Sequence, residues 1–154
     1  MINDEVISVL NDLIQTSKDG EQGFRSCAED ASERDAQFKV LFEESSRGCA
    51  AAASELQELV RALGGDPATH GSVSGSMHRQ WLNIKSLITG KDDEAVLAEC
   101  EREEDAALKS YREALQKDLS ANIRMVVERQ YQGVLANHDR VKSLRDQVHM
   151  KNTA

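Results

Sequence analysis

"LGGDPATHGSVSGSMHRQW", residues 63–81, interrupts sequence that is charged and alanine-rich on both sides. It holds the chain's only proline, its only tryptophan and two of its four histidines. Gly64 and Gly65, with Pro67 just beyond, form a strong helix stop: glycine suits the left-handed C-cap, and proline cannot continue the helix. Ser76 can cap a short helix over Ser76–Ile88, with Met77, Trp81, Ile84, Leu87 and Ile88 toward one side and Gly90 ending it. The whole connection therefore runs from about 64 to 91. A bundle whose helices simply alternate up and down needs only a few residues at this point. A bundle whose second and third helices run parallel needs a connection that travels its full length. About ten extended residues at ~3.3 Å each, plus a short helix at ~1.5 Å per residue, cover that span.

Outward from this stretch, the pattern is helical. Val6, Leu10, Leu13, Ser17, Gly20, Phe24, Cys27 and Ala31 follow one another in steps of three and four, the spacing of one helix face. Phe38, Phe42, Ser45, Cys49, Ala52, Leu56, Leu59 and Leu63 repeat it, with Ser32 as the turn or cap between the two runs. A third run has Leu97, Cys100, Glu104, Ala107, Tyr111 and Ala114, and "KDD" places acids at its N-terminus, where the helix dipole favours them. The fourth has Val127, Gln130 or Tyr131, Val134, His138, Val141 and Val148, after the turn "QKDLSAN" with Ser120 as its cap. No strand-like alternation of useful length occurs. The sequence predicts an all-α protein: one ferritin-like four-helix-bundle domain over 1–154, built as two antiparallel hairpins joined by a long crossover that contains a short helix.

Composition narrows the function classes. At 154 residues one core is expected, and 40% apolar with 30% charged residues fits a globular chain. A net charge of −8 lacks the positive face needed to grip nucleic acid or anionic lipid. No run is apolar enough to span a membrane and "MINDEVISVL" shows no secretory pattern, so no membrane partner and a cytoplasmic location are expected. Cys27, Cys49 and Cys100 are an odd set without CxxC spacing, and counting along the helices puts them at different depths, as small buried hydrophobes. His70 and His149 are expected at the surface. The Gly/Ser segment is neither a phosphate-binding loop nor a dinucleotide fingerprint, and no nucleophile stands beside a base and an orienting group.

Polar residues on the core faces are the informative ones. Counting depth from the end where the first helix stops, Glu21, Glu44 with Ser45, Glu101 with Glu104, and His138 fall in one layer to within about a turn. Paired iron or manganese ions in such bundles are held by a Glu from each of two helices and a Glu-x-x-His from each of the others. Here the pattern is incomplete. Arg47 stands where the second helix would need His, Leu135 where the fourth would need Glu, and no Glu-x-x-His occurs. The competing reading of "ECEREEDAALK" is a solvated face, and that of His138 is a hydrogen-bonded seam residue without metal.

Three stretches, "LGGDPATHGSVSGSMHRQW", "LAECEREEDAALKSYREAL" and "VVERQYQGVLANHDRVKSLRD", together with Glu21, resemble a proteobacterial family of ferritin-like four-helix-bundle proteins of unknown function. The segment with His78, Arg79 and Trp81 is the most specific, and those three residues are expected to pack the crossover onto the bundle. The resemblance implies a single ferritin-like domain and supplies no reaction. The leading expectation is a non-enzymatic, stress-associated bundle with a reduced or atypical Fe or Mn site at Glu21, Glu44, Glu101, Glu104 and His138. The alternatives are a di-iron or di-manganese oxidoreductase acting on oxygen or peroxide, and a helical interaction module. Gly20, Gly23 and Ala50–Ala53 permit close helix approach, within one bundle or in a homo-oligomer.

Overall fold

The computed structural model describes residues 3–31, 36–71, 84 and 92–153. Four long helices account for most of them: α1 (Asn3–Ala31), α2 (Ala36–Ala62), α3 (Asp93–Leu115) and α4 (Ala121–Thr153). No strand occurs among the described residues. Many of the residues on the expected faces are buried. Leu10, Leu13, Phe24 and Cys27 of α1, Phe38, Phe42 and Leu56 of α2, Leu97, Cys100 and Tyr111 of α3, and Val127 and Val141 of α4 are all at most 4% exposed.

Each helix end has a local cause. Gly64 takes φ +80°. Its amide donates to the Arg61 carbonyl at 2.9 Å and the Gly65 amide donates to that of Val60 at 3.0 Å, the paired bonds of a Schellman stop. Asp92 caps α3, its carboxylate accepting from the Ala95 amide at 3.1 Å, and Asp93 and Glu94 follow in the first turn. Arg124 of α4 donates to the Leu115 and Lys117 carbonyls, both at 2.6 Å, which satisfies acceptors that the end of α3 leaves open.

The core comes in two clusters, and their membership fixes the helix directions. Phe24, Cys27, Phe38, Phe42, Val96, Leu97, Cys100, Val141 and Leu144 pack together at the end where α1 finishes and α2 begins, here called the top. Val6, Leu10, Leu13, Leu56, Val60, Tyr111, Ala114, Ile123 and Val127 pack together at the bottom. So α1 rises, α2 and α3 both descend, and α4 rises. The chain leaving α2 must climb the bundle to enter α3, as the length of the connection predicts. Its first steps are visible. Gly65 abuts Ile7 and Gly71 abuts Asp19. Between them, Ala68 is held by Asn11 and by Gln57, at 2.8 and 2.9 Å. Ile7 to Asp19 is about 18 Å of helix, climbed in six residues, close to the ~3.3 Å per residue of extended chain. Further on, Ile84 is helical and fully buried in the top cluster. The rest of the helix expected at Ser76–Ile88, with His78, Arg79 and Trp81, lies outside the described residues.

The depth assigned to one pair of cysteines needs correction: Cys27 and Cys100 are both inside the top cluster, Cys27 about one turn and Cys100 about two turns below the top of the bundle. Cys49, beside Gly20 and packed against the lower edge of that cluster, lies about two turns below Cys27.

Candidate functional site

Between the two clusters the layer of polar residues is buried. Glu104, on the inward stripe of α3, is 5% exposed, and Glu103 beside it 8%. This corrects the expectation of a mostly solvated "ECEREEDAALK" face: Glu101 is also largely buried, its side chain 15% exposed, while Arg102 and Asp105 of the same stretch are exposed. The carboxylate Oε2 of Glu104 accepts from Asn137 Nδ2 at 2.5 Å. Asn137 Oδ1 accepts in turn from the Ser45 hydroxyl at 3.1 Å, so α2, α3 and α4 are joined by one polar chain. Burial pushes the Glu104 carboxyl up to about 7, against the Asn137 bond and the nearby His138, which pull it down; Asp105 and Glu101 add to the rise. Glu103 is likewise pushed up to about 7, by burial and then by Glu99 and Asp19.

The remaining candidates divide. His138 Nε2 lies 2.8 Å from Asp105 Oδ1 and 3.6 Å from Glu101 Oε1. Glu101 also meets Arg145 at 2.5 Å. Glu21 pairs with Arg25 at 3.2 Å and with Lys18 at 3.6 Å. Glu21 and Glu104 both act on Cys49, whose thiol is pushed up to about 12 by burial first and then by those two carboxylates. Glu44 stands apart: it is exposed and pairs with Arg140 across the α2/α4 surface at 2.5 Å. Among the described residues, the buried side-chain polar atoms without a hydrogen bond belong to Glu21, Glu101, Glu104 and His138. Three of these atoms keep an ion-pair neighbour that is not aligned for a hydrogen bond: Lys18, Arg145 and Asp105. Among the described residues, no three His, Cys, Asp or Glu side chains are drawn close enough together to hold a metal ion.

Below this layer a cavity of about 690 Å³ separates the hairpins. Small residues make it: Gly20, Ala52, Ala107 and Gly133 each come from a different helix. Glu103, Glu104, Asn137 and Gln130 also line it. Gln130 is the lower polar bridge, accepting from the Tyr111 hydroxyl at 2.8 Å and donating to Glu55 at 2.7 Å.

The family described as a domain of unknown function, DUF2383, matches residues 5–117 of the 154. The chain belongs to the DUF2383 family. That span takes in α1, α2, α3 and the connection, and so carries Glu21, Glu44, Glu101 and Glu104; His138 and Asn137 lie in α4, beyond the part that matches DUF2383. Among curated proteins, none matches this DUF2383 chain. No helix of the described residues is long and apolar enough to cross a membrane.

Sequence reasoning missed Asn137, Glu103 and the cavity. Asn137 had a signal, since it neighbours His138 and faces the level of Ser45. The cavity had one too: Gly20, Ala50–Ala53, Ala106–Ala107 and Gly133 fall at one depth on all four helices.

Proposed function

We infer that this DUF2383 protein is a non-enzymatic bundle of the ferritin-like class that keeps a reduced site for one divalent cation, with Glu104 at its centre and Glu21, Glu101 and His138 around it. The supporting observation is that the buried polar atoms left without hydrogen bonds fall on these four residues; three keep an ion-pair neighbour, and Glu104 Oε1, which has none, is the one where a leftover acceptor costs ~1–3 kcal/mol. The donor set fits a borderline or hard ion such as Mn²⁺, Fe²⁺ or Zn²⁺: carboxylates compensate its charge and a neutral imidazole takes one position. Binding would exchange the present ion pairs with Lys18, Arg145 and Asp105 for the ion and would have to draw the four side chains inward, since among the described residues no three of this kind stand within reach of one ion. Glu44 faces Arg140 at the surface, and the chain contains no Glu-x-x-His; both favour a single reduced site over an oxygen-activating metal pair. A cytoplasmic location in a proteobacterium belongs to the same reading.

Chelator-stripped protein titrated calorimetrically with Mn²⁺ and Zn²⁺ tests it. A single ion per chain is expected, lost in Glu104→Ala and in His138→Ala. Stripped wild-type protein that takes up neither ion, or variants that bind as wild type, would end the cation reading.

A further inference from the structure

The cavity between the hairpins has the features of a built site, and it shares Glu104 with the layer of polar residues at its upper end. Its volume of about 690 Å³ lies within the ~300–1,000 Å³ of ligand cavities. Along the bundle its lining runs from Thr16 to Phe24 on α1 and from Arg129 to Asn137 on α4, a rise of about 12 Å on each. Small residues from all four helices give it mostly apolar wall surface, and acids outnumber cations in its lining. Among the described residues, Asp19, Glu44, Glu55, Glu103 and Glu104 line it with one cation, Arg129; Arg129 is paired with Glu55 and Glu44 with Arg140, which leaves Glu103 and Glu104 as the acids on the α3 wall.

Two further observations point to an occupant. Glu104 is 5% exposed, lines the cavity, and leaves Oε1 without a hydrogen-bond partner. An unsatisfied buried acceptor calls for a donor, and a carboxylate in that place calls for a positive one. The cavity also has a framed mouth. Glu44–Arg140 above and Glu55–Arg129 below tie α2 to α4. Between the two ties, Gly48 of α2 and Gly133 of α4 both line the cavity and are both exposed. A Cβ on either would meet nothing within 4 Å. The missing side chains leave a window between two ion pairs.

We propose that the cavity binds a primary alkylamine, which enters between Gly48 and Gly133, sets its ammonium against Glu104 and lays its aliphatic chain among the alanines between the hairpins. An ammonium offers three donors and a compensating charge. A fatty acid would instead bring a further anion beside Asp19, Glu103 and Glu104, and an alcohol would supply a donor without the charge. The proposal stands without the cation reading.

Calorimetry of the full chain at about pH 8 in a chelating buffer, where an amine like that of lysine is protonated, compares octylamine, octanol and octanoate. Octylamine is expected to bind at least tenfold more tightly than octanol, with no heat from octanoate. Glu104→Gln should weaken octylamine at least tenfold and leave octanol unchanged. The double variant Gly48→Leu/Gly133→Leu should bind none of the three. Leucine at exposed helical positions raises helix propensity, so this variant is expected to stay folded, and its thermal melt is the control. Absence of octylamine binding, octanol or octanoate binding as tightly as the amine, or wild-type octylamine affinity in the double variant each overturns the proposal. Mn²⁺ is titrated separately on the same protein, so a failure there and a failure here are read independently.

Discussion

Glu104 illustrates what one buried carboxyl does to a helical bundle. Its carboxyl is pushed from an ordinary 4.5 to about 7, by burial first, with Asp105 and Glu101 adding and the Asn137 bond and His138 opposing. Between those two values the folded protein keeps a proton that the unfolded chain has released. The stability from this group is therefore fully present below about pH 4.5 and is lost as pH rises through about 7. At ~1.4 kcal/mol per pKa unit the ceiling is about 3 kcal/mol, and relaxation around the site lowers it. Urea unfolding in chelating buffer should show wild-type protein losing ~1–3 kcal/mol between about pH 5 and pH 8 through Glu104, with Glu103 acting in the same sense. Glu104→Gln, which can still accept from Asn137, should flatten that slope and be the more stable protein at about pH 8. Equal slopes for the two proteins would mean that Glu104 is solvated. The burial of this residue was legible from the sequence, because Glu104 falls on the Leu97–Cys100–Tyr111 face; its partner was not read, because Asn137 stands on the other arm of the same hairpin and only the register in which α3 pairs with α4 brings the two together.

At the scale of the helices, the hairpins are tight inside and loose between. Within the α1/α2 hairpin a Cβ on Gly20 would sit 2.7 Å from Cys49 Sγ. Overpacking of this kind costs ~1–3 kcal/mol, while alanine in place of helical glycine gains ~1 kcal/mol. Gly20→Ala should therefore destabilise the protein when Cys49 is present. In a Cys49→Ala background the sign should reverse, to a gain of ~1 kcal/mol; a double-mutant cycle by denaturant unfolding measures it, and the same sign in both backgrounds would remove the contact as the cause. Between the hairpins, Tyr111, Gln130 and Glu55 carry polar contact from α3 through α4 to α2. Gln130→Leu would remove the acceptor of the buried Tyr111 hydroxyl and leave it only its bond with Ser17, and should cost ~1 kcal/mol in the same assay. The face periodicity found the helices because buried residues recur at 3.6-residue spacing. It did not find the cavity, because glycine and alanine satisfy that spacing whether they are packed against or facing a void.

For the whole molecule, the decisive property is that α2 and α3 descend together. The two clusters show it: Phe38, Phe42, Val96 and Leu97 share the top, and Leu56, Val60, Tyr111 and Ala114 share the bottom. The sequence carried this topology in the length of one connection, a quantity that chain reach converts directly into direction. It could not carry the path, since only the contacts of Gly65, Ala68 and Gly71 with α1 and α2 show where the climb begins. A substitution of linker length tests the direction. At 27 residues, α2 is about 40 Å long, whereas six flexible residues reach ~20 Å at most. Replacing residues 66–91 by six Gly/Ser residues should therefore stop one chain from closing the bundle, giving a larger assembly than wild type by helix exchange, or an unfolded chain, by light scattering and circular dichroism. A Gly/Ser linker of the original length should restore the helical protein at the wild-type mass, less stable than wild type because Ile84 no longer fills the top cluster. A helical protein of wild-type mass from the six-residue linker would require α3 to start at the bottom, and the parallel arrangement of α2 and α3 would have to be abandoned.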